Sequence, residues 1–134
     1  MTTDWADLAG LCDAQYRMAS ARLARARAEE RCLRAALEEI EADARRVLLA
    51  PEGLAYHAAG TGVAWQGWLG RRRAALTRDI GLAAARRGEA EERLRVCLSQ
   101  KEAAAARLRA AAQADARKRQ RRAEAEILRL QMLR

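Results

Sequence analysis

The chain is expected to be all-α: a long antiparallel two-helix coiled-coil hairpin with a C-terminal helical overhang. Three observations predict it. A heptad runs unbroken from Trp5 to Val47, the single proline (Pro51) falls just beyond it, and a second heptad runs from Leu76 to Ala111.

The first helix is expected over residues 4–49. Its seam is Trp5, Ala9, Cys12, Tyr16, Ala19, Leu23, Ala26, Glu30, Leu33, Leu37, Ile40, Ala44 and Val47, with Glu30 the one polar member. A spacing averaging 3.5 residues holds one narrow stripe on one face, the requirement for coiled-coil pairing. The positions between carry Arg, Glu and Ala, so the seam is the only surface this helix can bury. Thr2, Thr3 or Asp4 would serve as N-cap, and Asp7 in the first turn favours the helix dipole.

A turn is expected over 50–62, because Pro51 cannot continue a helix interior and Gly53, Gly60 and Gly62 surround it. The second helix should occupy 63–133. Its seam is Leu76, Ile80, Ala83, Arg87, Ala90, Leu94, Cys97, Lys101, Ala104, Leu108 and Ala111, weaker because Arg87 and Lys101 hold inner positions. Long basic side chains manage this by laying their stems in the groove with their heads in water. Gly67, Gly70, Gly81 and Gly88 each cost about 1 kcal/mol of helix propensity relative to Ala and are the places where a bend would come most easily.

A short connection between two long seams implies an antiparallel hairpin in one coiled-coil unit. Folding about the middle of the connection sets Leu37 near Leu76, Leu23 near Ala90, Tyr16 near Cys97 and Trp5 near Leu108. The second helix then outruns the first by about 25 residues, a single basic helix. That overhang holds Arg117, Lys118, Arg119, Arg121 and Arg122, then an apolar cluster of Ile127, Leu128, Leu130, Met132 and Leu133. A solvated helix face accounts for such a basic run as readily as a binding surface does, whereas the apolar cluster suits a tip entering a socket.

Composition agrees. Of 134 residues, 34 are Ala, 33% are charged and none is Phe, which suits a long helix and not a globular core. Residues 1–60 carry a net −2 and residues 61–134 a net +10, so the second half should seek an acidic partner. Arg outnumbers Lys 24 to 2.

Three cysteines without a CxxC spacing (Cys12, Cys32 and Cys97) fit reduced thiols better than a disulfide or zinc framework. Cys12 and Cys97 fall on seam positions, where a thiol acts as a small apolar residue. No apolar signal segment and no stretch of about 20 apolar residues is visible, so a cytoplasmic protein is expected.

Catalytic apparatus is not evident. His57 is the one histidine and is expected to be a solvated loop residue; no phosphate loop, metal set or cofactor motif occurs. Glu29-Glu30, Glu38-Glu39 and Glu91-Glu92 face Arg neighbours at helical spacing, as solvated pairs do. The aromatic patch Trp65-Gln66-Gly67-Trp68-Leu69 is open to two readings. It caps the hairpin against Val47, Leu48, Leu54 or Tyr56, or it anchors a partner, since Trp is enriched at interface hot spots.

An antiparallel coiled coil whose second helix opens on Trp65, Gln66, Trp68 and Leu69, followed by Ala75 and Leu76, resembles the FliJ-type stalk protein of flagellar type III export. Leu94-Arg95-Val96-Cys97-Leu98, leading to Lys101-Glu102 and Leu108, echoes the same pattern. The resemblance implies a non-enzymatic stalk, similar to the central stalk of rotary ATPases, whose partners are a hexameric export ATPase, an export-gate membrane protein and export chaperones. It implies that Trp65, Gln66, Trp68, Leu69, Ala75 and Leu76 meet the gate, and that Arg117, Lys118, Arg119, Arg121, Arg122, Ile127 and Leu130 form the tip entering the ATPase ring. Membrane association would come only through partners. Two other readings stand beside it. One is a basic helical protein binding nucleic acid or the ribosome, weakened because no aromatics interleave the basic run. The other is a coiled-coil scaffold whose seams pair between chains.

Overall fold

The computed structural model describes residues 2–49 and 61–134. It is an all-α hairpin: α1 spans Thr2–Leu49 and α2 spans Thr61–Met132, packed against each other. The expected turn at 50–62, with Pro51 and His57, lies outside the described residues except at its end, where α2 starts two residues earlier than expected. Helix α1 likewise begins at Thr2. The expected caps Thr2, Thr3 and Asp4 are therefore inside the helix. The Thr2 hydroxyl donates across to Asp115 Oδ2 at 3.2 Å.

Every expected seam position is withdrawn from solvent, wholly or in part, on both helices. In the unit formed by Ala21–Glu92, the buried residues are Leu23, Glu30, Ala44, Gly62, Leu69, Leu76, Ile80 and Ala83. In the unit formed by the chain up to Ser20 and from Arg93 onward, they are Cys12, Ala19, Cys97 and Ala104. Leu and Ile supply half of the first set and small residues the whole of the second, so few large side chains are removed from water. Each fully buried Leu or Ile contributes roughly 1.5–3 kcal/mol. Four such residues (Leu23, Leu69, Leu76 and Ile80) leave much of the stability to alanine-rich helix propensity and to ion pairs.

The helices are antiparallel in each unit. Arg73 pairs with Glu41 and Arg86 with Glu29 in one; Lys101 pairs with Asp13 and Thr2 with Asp115 in the other. The register agrees with expectation to within about one helical turn. Trp5 meets Arg107, beside the expected Leu108, whereas Tyr16 meets Lys101, one turn past the expected Cys97. Because Thr2 faces Asp115, the stretch of α2 without a facing helix starts after Asp115 and is shorter than expected. Helix α2 is continuous through Gly67, Gly70, Gly81 and Gly88. A Cβ built at Gly70, Gly81 or Gly88 meets nothing within 4 Å, so these positions are not demanded by close packing.

Candidate interaction surfaces

The two polar intrusions into the seams find each other. Glu30 is 7% exposed. Its Oε2 lies 2.8 Å from Arg87 Nε, and its Oε1 accepts from Arg34 Nη2 at 2.9 Å and Arg34 Nε at 3.2 Å. The Arg87 Nε–H is angled off the carboxylate, so this contact is an ion pair without a well-formed hydrogen bond. Arg27 approaches Glu91 at 3.7 Å, and Arg86 donates to Glu29 at 2.8 Å on the rim. The result is a charge layer within the Ala21–Glu92 unit, beside an Arg-lined niche of about 290 Å³. Its chemical effect is register. Slipping α2 along α1 would leave Glu30 buried against apolar residues, which costs several kcal/mol for an unpaired buried charge.

The sequence held the signal for this pair, one acid in one seam and a base at an inner position of the other. Folding about the loop's midpoint placed them a turn apart.

Lys101, the other basic seam residue, is held 3.2 Å from Asp13 Oδ1 and sits 4.5 Å from the centroid of the Tyr16 ring. Arg107 lies over Trp5 at 5.3 Å. Both are cation–π contacts that fasten the start of α1 to α2.

The opening of α2 divides the expected patch in two. Leu69 (4% exposed) and Leu76 (2% exposed) belong to the hairpin core, and Ala75 and Trp65 are half-buried. Gln66 and Trp68 are exposed, Trp68 by 51%. Helical periodicity explains the division: residues 65, 69 and 76 follow the seam, and 66 and 68 fall on either side of it. Trp68 is thus a large aromatic surface offered to solvent, and Trp65 is the one that packs inward. Of the expected packing partners, Leu48 is exposed and Val47 half-buried, while Leu54 and Tyr56 lie outside the described residues.

Every residue after Asp115 is exposed. Arg117, Lys118, Arg119, Arg121 and Arg122 form no ion pair among the described residues, and Ile127, Leu128 and Leu130 are 56–60% exposed. The overhang is therefore an unpartnered helix that carries a cationic stretch followed by an apolar one.

Sequence reading missed a lateral groove in the same unit. Leu8, Leu11, Cys12 and Gln15 of α1 and Gln100, Ala103, Ala104 and Arg107 of α2 line about 390 Å³. Leu8 and Leu11 are 40% and 57% exposed. They were hidden from a seam-based reading because they lie one position before each seam residue, on the flank of the pairing face.

Among the described residues no cluster of His, Cys, Asp or Glu could hold a metal ion, and no helix is long and apolar enough to cross a membrane. The cysteines are unpaired, with Cys12 and Cys97 buried and Cys32 exposed. Set against protein families, curated proteins and solved structures, the chain matches none.

Proposed function

We propose that the chain is a non-enzymatic stalk or adaptor of a flagellar-type (type III) protein export apparatus, joining a hexameric export ATPase to an export gate and to export chaperones. The observation that carries this reading is the overhang. A helical hairpin from which one helix projects, cationic first and apolar at its end, suits insertion of that helix into a ring with an acidic mouth and an apolar socket. An element bound to a ring through its overhang and to a gate through the opening of α2 couples them by contact, with no chemistry of its own. On the gate side, Gln66, Trp68 and the exposed edge of Trp65 are the residues free to make contact. Leu69 and Leu76 act indirectly, by holding that stretch of α2 against α1.

The test is capture of the ATPase from native cytosol by the full chain and by a chain ending at Asp115. The full chain should retain the ATPase and the shortened one should lose it while keeping its helicity. Leu130→Asp should weaken capture at every ionic strength, because it removes apolar burial. Neutralising Arg119, Arg121 and Arg122 should matter most at low salt, because exposed charges act over about a Debye length and chiefly on association rate. Undiminished capture and stimulation of the ATPase by the shortened chain would sink the insertion role. One observation favours a second reading, binding to phosphates: the net charge of +10 on residues 61–134. In that case a gel shift with RNA or DNA should appear at low salt and fade steeply as salt rises.

A further inference from the structure

We infer that the overhang of one molecule docks in the Leu8–Leu11 groove of a second copy, giving a symmetric dimer in which each chain supplies a helix to the other.

The apolar face of the overhang does not continue the seam that packs on α1. Extended at heptad spacing past Ala111, that seam would run through Asp115, Lys118, Arg122, Ala125, Arg129 and Met132, four of the six charged. The apolar positions lie one residue further round. Ala116, Gln120, Ala123, Ile127 and Leu130 recur at four-three spacing, a pattern that fits a helix packed on something other than α1. Such a stripe needs a complementary apolar surface, and the same unit offers one: the groove floored by Ala103 and Ala104 and walled by Leu8 and Leu11.

Charge selects the same match. Residues 2–16 contain Asp4, Asp7 and Asp13 and no basic residue, whereas 116–134 hold seven basic residues against Glu124 and Glu126. Asp13 is engaged by Arg17 and Lys101, but Asp4 and Asp7 form no ion pair among the described residues. The free cations of one copy and the free carboxylates of another are complementary.

The spacing closes as a two-fold. In a C2 interface, contacts are reciprocal: if residue i meets j, then j meets i. With antiparallel α2 segments related by an axis near residue 117, Leu130 of one copy falls on Ala104 of the other, each thirteen residues from the axis and so about 20 Å from it. In the same register Arg119 falls beside the second copy's Asp115. Arg122 falls near residue 112, alongside the Asp4 turn of α1, since Thr2 faces Asp115 and Trp5 faces Arg107. Glu126 reaches the level of the second copy's Arg107 and Arg109. The two Arg117 side chains meet at the axis, the like-charge contact of this register, and one that solvent screens. Hydrophobic stripe, charge order and length agree on one arrangement.

This inference does not rest on the export reading. The two intersect at one point, because the same tip serves both, so a dimer withholds from any other partner the helix that it docks in its own copy.

Sedimentation equilibrium of the full chain, from low micromolar to several hundred micromolar, tests the inference. A monomer–dimer equilibrium is expected, with Leu11→Asp and Leu130→Asp each raising the dissociation constant at least tenfold. Both residues are more than half exposed, so circular dichroism should show the fold retained. Reversing Asp4 and Asp7 to Arg should weaken the dimer severalfold, as should reversing Arg121 and Arg122 to Glu. An equimolar mixture of the two reversed chains, or a chain carrying both reversals, should recover most of the loss. A chain that stays monomeric throughout would overturn the proposal. So would a dimer indifferent to Leu11→Asp and Leu130→Asp, or reversals that fail to rescue each other.

Discussion

Helix α2 is two different helices in one. Up to Asp115 its inward positions, Arg87 and Lys101 apart, are small or apolar and lie against α1; after Asp115 alanine becomes scarcer, with three in residues 116–134 against fifteen in 61–115, and no residue is buried. The first part is helical because packing rewards it. The second is helical without a partner, on the strength of Ala, Arg and Glu propensity and of continuity with a helix already nucleated. The difference teaches that secondary structure and tertiary role are separable in this chain. Helix formation extends beyond the region that needs it for folding, and the surplus is available for association.

The largest effect should come from breaking the paired part. Leu76→Asp places a carboxylate at a site that is 2% exposed and should cost about 4 kcal/mol or more, through lost burial and a buried charge. Leu37→Asp and Ile40→Asp act on the facing seam and should also lower the melting temperature and helical ellipticity. Unchanged melting in all three would mean that these residues do not hold the helices together. A smaller loss is expected from Glu30→Ala. It should lower stability to urea by about 1–2 kcal/mol, below the range for a fully buried pair because Arg87 and Arg34 still reach water. Replacing Glu30 and Arg87 together with Leu should recover that loss or exceed it, but should loosen the register, visible as broadened disulfide trapping between paired cysteines placed on the two helices. A double replacement as unstable as the single one would contradict the pairing.

Gly81→Ala should stabilise by about 0.5–1 kcal/mol, since a methyl group there meets open space and helix propensity improves. A destabilised variant would indicate that α2 needs the bend that glycine allows. The smallest effect is expected from ending the chain after Asp115. At low micromolar concentration the urea midpoint of the hairpin should shift by no more than about 0.5 kcal/mol equivalent, as for surface changes that remove no contacts. A large shift would show that the overhang folds back on its own hairpin.

Much of this was legible in the residues. Both seams could be read position by position because the 3.5-residue period recurs through many turns, and averaging over so many repeats fixes the buried face. The register was legible only to about a turn. Alanine-rich seams discriminate weakly between neighbouring alignments, and it is the Glu30–Arg87 pair that selects among them, a long-range match that periodicity does not encode. The division between Trp65 and Trp68 was not legible, because a three-residue spacing keeps both on neighbouring positions of one helix face and the heptad carried back from Leu76 would have buried Arg73 and Gln66, which are exposed. The Leu8–Leu11 groove was not legible. It is made by two helices at once, and neither sequence stretch alone marks it as apolar.

The distribution of thiols gives this molecule a built-in clock. Cys97 is 1% exposed and Cys12 is 8% exposed, both behind the pairing of the chain's start with α2, while Cys32 is open to solvent. An alkylating reagent meets Cys32 at the speed of any surface thiol, but reaches Cys97 only in the fraction of time that the two helices stand apart there. The ratio of the two labelling rates, after each is scaled to its rate in denaturant, therefore measures how often that section of the hairpin opens, in the native protein and without any substitution. Oxidants follow the same route, so damage to the inner thiols accumulates in step with opening, and whatever holds the section shut also shields its sulfur.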